Sequence, residues 1–97
     1  MELSTEELVE MRLEEIDRFD RAFRQLLHLN EHMSCLMEHF KRAKRCNNHV
    51  FVFSLHLKLR MLCGVRNMYR AYALQKCDHI EELRQALRGR SDVMEVL

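Results

Sequence analysis

The 97-residue chain has no proline, no tryptophan and only two glycines. An all-β fold needs turn residues about every eight to twelve positions, and a doubly wound α/β fold needs Gly-rich loops. Both are excluded for want of them. Long apolar runs are missing too. The densest stretch, residues 50–62, is interrupted by His56, Lys58 and Arg60, well short of the roughly 18 apolar residues of a membrane span. The four cysteines at 35, 46, 63 and 77 form no CxxC pair, and the first twenty residues contain no apolar signal-peptide core. Free thiols in a nuclear or cytoplasmic protein with no membrane partner are therefore expected. Charge of one sign is also absent locally. Residues 41–76 hold nine bases and no acid, whereas residues 1–20 hold eight acids against two bases. The formal net charge of +1 conceals this polarity, which bears on partners more than on fold.

What remains is a hydrophobic share of 47% and a charged share of 32%, a composition that folds. Ser4 followed by Glu7 reads as a capping box, with Glu6, Glu7 and Glu10 suited to the positive end of a helix dipole. From there Ile16, Phe19, Phe23, Leu26, Asn30, Met33, Met37 and Phe40 alternate steps of three and four. This is a heptad seam with a at 9, 16, 23, 30, 37 and 44 and d at 12, 19, 26, 33 and 40. The flanking g column (Ala22, Leu29, Leu36, Ala43) is apolar, as are Leu13 and Leu27 in the e column. A band that wide suits a bundle or a close hairpin better than a two-stranded coiled coil. Asn30 falls in the middle of the a column, where a buried amide fixes register at a cost in stability.

The seam fails at Lys44. Cys46-Asn47-Asn48-His49 is the best turn in the chain, because asparagine tolerates the left-handed region and caps a following helix. Residues 51–61 alternate apolar and polar with the period of a strand. They also belong to a helical series that runs Val52, Leu55, Leu59, Leu62, Arg66, Tyr69, Ala73, Lys76, Ile80, Leu83, Leu87. No second strand exists to pair with them except the same strand of a second copy, so helix is expected. Gly64 marks a close crossing, a kink or simple tolerance. Asp78 followed by Glu81 resembles a further cap, and Gly89 a stop. The predicted fold is all-α: an antiparallel hairpin of two long helices, over about 5–45 and from about 49, with a turn at 46–48. A break near 76–78 would divide the second helix into 49–76 and 79–88, and residues 90–97 would form a tail. The whole chain is one domain. A compact globule of 11.8 kDa exposes about 5,900 Å², against roughly 17,000 Å² unfolded. A bare hairpin about 60 Å long cannot reach that burial, so the chain is expected to complete a bundle by self-association, as a dimer, or by docking on a larger protein.

Chemistry is thinly represented. Cys35 has His32 and His39 within a helical turn, but all face away from the seam and no third group orients them. His28, His32, Cys35, His39, Cys46 and His49 include zinc-like local spacings. A finger, however, separates its ligand pairs by about twelve or more residues, and only six lie between His39 and Cys46. No enzyme, cofactor or small-molecule substrate is expected. Lys41, Arg42, Lys44 and Arg45 form a basic cluster of nuclear-localisation or partner-binding type. Phe23-Arg24-Gln25-Leu26-Leu27 has the FxxLL form of a helix-docking motif, although the seam accounts for the same residues. The reading that follows is a non-enzymatic protein–protein interaction module, a small subunit or scaffold of an intracellular complex. Its interface would comprise Ile16, Phe19, Phe23, Leu26, Asn30, Met33, Met37, Phe40, Leu55, Leu59, Leu62, Tyr69, Ile80 and Leu83. The alternative is a nucleic-acid-binding protein using the basic segment 41–76.

Overall fold

A computed structural model describes residues 2–90 and shows two helices, α1 (Thr5–Arg45) and α2 (His49–Arg88), folded into an antiparallel hairpin 67 Å long. The helix ends follow from local chemistry. Ser4 caps α1, its Oγ accepting the Glu7 N–H at 3.1 Å. The reciprocal half of the capping box differs from expectation: the Ser4 hydroxyl itself donates to the Glu7 carboxylate at 3.2 Å. Asn47 takes the one positive φ among the described residues, 55°, and reverses the chain. Asn48 then caps α2 by accepting the Phe51 N–H at 3.2 Å. Residues 51–61 are helical. α2 also runs unbroken through 76–78. Asp78 is exposed there, no proline or glycine interrupts, and the inward series continues through Lys76, Ile80 and Leu83. Gly89 ends α2 at φ −75°, in the right-handed rather than the left-handed region. The tail expected over 90–97 lies, beyond Arg90, outside the described residues.

The seam of α2 is the predicted one: Leu55, Ala73, Leu83 and Leu87 are buried, with Val52, Leu59, Leu62, Arg66, Lys76 and Ile80 half-buried. The seam of α1 is rotated. Its most buried residues are Leu8, Glu15, Ala22, Leu36 and Ala43, all of the g column, with Leu29 half-buried in the same series. The d residues Phe19, Leu26, Met33 and Phe40 are half-buried beside them, and the a residues Ile16, Phe23, Asn30 and Met37 are exposed. Four adjacent columns of α1 are apolar, and one partner helix covers only about two. Seating the d and g columns brings Ala22 and Ala43, the smallest side chains of the band, against α2. Asn30 consequently holds no register within the hairpin, contrary to its reading as a buried amide.

The core is divided. One cluster at the open end joins Leu8, Leu83 and Leu87 with Val9 and Met11. Another near the turn joins Leu36, Ala43 and Leu55 with Phe40, Val52, Leu59 and Leu62. Between them the seam carries Ala22, Ala73 and the carboxylate of Glu15. Gly64 faces open space: a methyl group added there meets nothing within 4 Å. Neither a close crossing nor a reversal requires it. Gly64→Ala should therefore raise stability in urea unfolding by about 0.5–1 kcal/mol, the helix-propensity difference at an exposed interior site. A loss of stability would show that another chain fills that space.

Candidate interaction surfaces

Two apolar stripes remain uncovered, one on each side of the hairpin. The first comprises the a and e columns of α1. Leu13 is 61% exposed, and Ile16, Phe23, Leu27 and Met37 are also open to solvent. This stripe borders α2 through a shallow groove shared by Asn30, Met33, Ser34, Met37, Leu59 and Arg66. Nearer the turn, Met37 and Phe40 line a second groove with His56, Leu59, Arg60 and Cys63. The other stripe belongs to α2. Met61 and Met68 are 73% and 75% exposed, flanked by Leu57, Val65, Tyr69 and Tyr72. It lies beyond the opposite edge of the seam, where Tyr69 and Tyr72 share a groove with Arg18, Arg21, Gln25 and His28 of α1. The arginines of that groove are already engaged, Arg18 with Glu15 and Arg21 with Asp17.

The predicted interface residues thus separate into two sets. Phe19, Leu26, Met33, Phe40, Leu55, Leu59, Leu62, Ile80 and Leu83 close the hairpin on itself, with Tyr69 at the edge of the seam. Ile16, Phe23, Asn30 and Met37 face outward. The FxxLL segment is split in the same way, with Phe23 and Leu27 exposed and Leu26 turned inward. A helix docking through that motif would need all three on one free face.

The basic cluster sits at the turn end. Lys41, Arg42, Lys44 and Arg45 are exposed, as are Lys58 and Arg60 of α2. Lys44 lies over the Phe40 ring, 5.4 Å from its centre, and Lys41 approaches Glu38 at 3.8 Å. The acidic segment of α1 lies at the opposite end, so the hairpin is electrically polarised along its length.

Sequence reasoning missed one group. Glu15, in the g column, is 2% exposed. Its carboxylate accepts from His79 Nδ1 at 2.8 Å, from Lys76 Nζ at 3.2 Å and from Arg18. The Lys76 ammonium also lies 5.1 Å from the centre of the Tyr72 ring. Among the described residues, the ion pairs that join the two helices converge on this carboxylate. The His79 hydrogen bond, helped by those from Arg18 and Lys76 and opposed by burial, lowers its pKa from 4.5 to about 2. A carboxylate held that low is a poor general base at neutral pH. Its chemistry is that of a clamp, holding residue 15 of one helix level with residue 79 of the other. A lone acid in an otherwise apolar heptad column, with a lysine in the facing series, was the available signal.

The histidine and cysteine residues of α1 form no cage. Cys35 Sγ and His39 Nε2 are 3.8 Å apart, and no three metal-binding side chains are gathered among the described residues. Cys35, Cys46 and Cys77 are exposed free thiols, and Cys63 is half-buried. No helix among the described residues is long and apolar enough to cross a membrane. No protein-family model, curated protein or solved structure matches this chain.

Proposed function

We propose that this chain is a non-enzymatic helical interaction module, a small subunit or scaffold of a larger intracellular assembly in the nucleus or cytoplasm. The observation that carries this reading is the pair of uncovered apolar stripes on a hairpin whose own seam is thin. The accessible surface is 7715 Å², against about 5,900 Å² for a compact globule of this mass. The radius of gyration is 20.8 Å, where a compact chain of this length has about 12.5 Å. Contiguous apolar surface of this extent marks sites of protein association. In extracts of cells that express it, the chain should elute in an assembly well above 11.8 kDa. Elution as a bare hairpin overturns the reading.

A nucleic-acid partner is favoured by one separate feature, the convergence of Lys41, Arg42, Lys44, Arg45, Lys58 and Arg60 on the turn end with no acid in residues 41–76. Binding of that kind falls steeply with salt and is lost when the four residues at 41, 42, 44 and 45 become glutamine.

A further inference from the structure

Building on the interaction-module reading, we infer that the α1 stripe is covered by a second copy of this chain, packed antiparallel so that residue i of one α1 lies opposite residue 50 − i of the other. In a two-fold antiparallel helix pair every residue meets its mirror position, so a self-pairing stripe must read alike in both directions. The outward columns of α1 run Leu13, Ile16, Asp20, Phe23, Leu27, Asn30, Ser34, Met37. Their midpoint is position 25, which is also the midpoint of α1 (Thr5–Arg45). Reversal about that point sets Leu13 on Met37 and Phe23 on Leu27. It sets the small Ser34 on Ile16, and Asn30 on Asp20, whose Oδ2 pairs with Arg24 at 2.7 Å and whose other oxygen the amide can reach as donor. The register amide expected within the hairpin acquires its role between two hairpins.

Charge selects the same orientation. Residues 1–20 are strongly acidic and residues 41–60 carry six bases and no acid, at opposite ends of a 67 Å rod. Antiparallel packing sets each acidic end against the other copy's basic turn, whereas parallel packing stacks like charges. The α2 stripe also reads alike in both directions, Leu57 against Tyr72 and Met61 against Met68, but its centre does not coincide with that of the rod. The contacts Glu15–His79, Thr5–Arg90 and Phe40–His56 place position 25 of α1 level with about 69 of α2. The stripe from Leu57 to Tyr72 is centred nearer the turn, so pairing it with itself would slide the two rods out of end-to-end alignment and weaken the match of acidic end to basic turn; the α1 stripe is the one that keeps it.

Sedimentation equilibrium of the purified chain at low micromolar concentration should report twice 11.8 kDa. Phe23→Glu with Leu27→Glu brings four carboxylates together at the dyad and should weaken self-association by about 100-fold or more, while circular dichroism stays helical. Met61→Glu with Met68→Glu should leave the dimer mass unchanged. Orientation is read by disulfide trapping in a background with the four native cysteines changed to serine. Leu13→Cys mixed with Met37→Cys should give cross-linked dimer, and neither variant alone should. A purified monomer, loss of the dimer through the α2 substitutions instead, or cross-linking by either variant alone overturns the inference. A purified monomer that is part of a larger assembly in extracts would overturn only the second copy as occupant. An 11.8 kDa species in both would also overturn the interaction-module reading.

Discussion

Replacing Glu15 by alanine should destabilise the hairpin by about 2–3 kcal/mol, measured by urea unfolding at pH 7. Removing one partner of a buried ion pair costs about 3–5 kcal/mol when the remaining charge stays buried. Here the partners have partial access to water: the Lys76, His79 and Arg18 side chains are 17%, 41% and 48% exposed. They can turn outward, which sets the lower figure. The same carboxylate governs behaviour in acid. Its folded pKa of about 2 lies below the ordinary value of 4.5, so the folded state binds a proton less readily than the unfolded one. The contribution of Glu15 is therefore complete above about pH 4.5 and is lost as pH falls from there toward 2. Glu81, lowered by Gln85 and Arg84, is exposed and screened and adds little. Glu15→Gln should flatten the loss of stability between pH 5 and pH 3, a range of about two units set by these values. A Glu15→Ala variant within about 0.5 kcal/mol of the parent would mean that the clamp does not hold the helices in register.

Leu36→Ala should cost about 2–4 kcal/mol, the usual range for deleting a buried leucine side chain without collapse of the site. Leu36 packs with Ala43 and Leu55 in the cluster near the turn, against half-buried Phe40, Val52, Leu59 and Leu62. Met61→Ala removes a side chain of similar size from α2 but should change stability by less than about 0.5 kcal/mol, because Met61 is 73% exposed. The comparison separates the hairpin's own core from the surface it offers to partners. Equal losses at the two sites would show that the α2 stripe is buried in the molecule as it exists in solution.

The start of α1 and the turn were legible from local residues, Ser4 as a cap and the run 46–49 as the reversal; the structure gives the left-handed conformation to Asn47 and the second cap to Asn48. The inward face of α2 was legible too: its series from Val52 to Leu87 recurs in steps of three and four along the whole helix. The alternation in residues 51–61 did not produce a strand, since the helical series passes through it and continues for three more heptads. The level pairing of the helices also follows from chain length and turn position alone. A reversal at Asn47 places residue 15 beside 79, and that is where the Glu15–His79 contact forms.

The orientation of α1 was not legible in this way. Periodicity reveals which columns are apolar, and on α1 there are four; it does not say which two a single partner will cover. Only the tertiary structure decided that. It seated the columns containing Ala22 and Ala43, the smallest side chains in the band, and it joined Glu15 to Lys76 and His79, more than sixty residues away along the chain. The physical reason is that helix ends are set by hydrogen bonds to neighbours three or four residues along, which sequence displays directly. The choice among equally apolar faces is set by close packing and ion pairing with the facing helix, which exist only once the chain has turned back on itself.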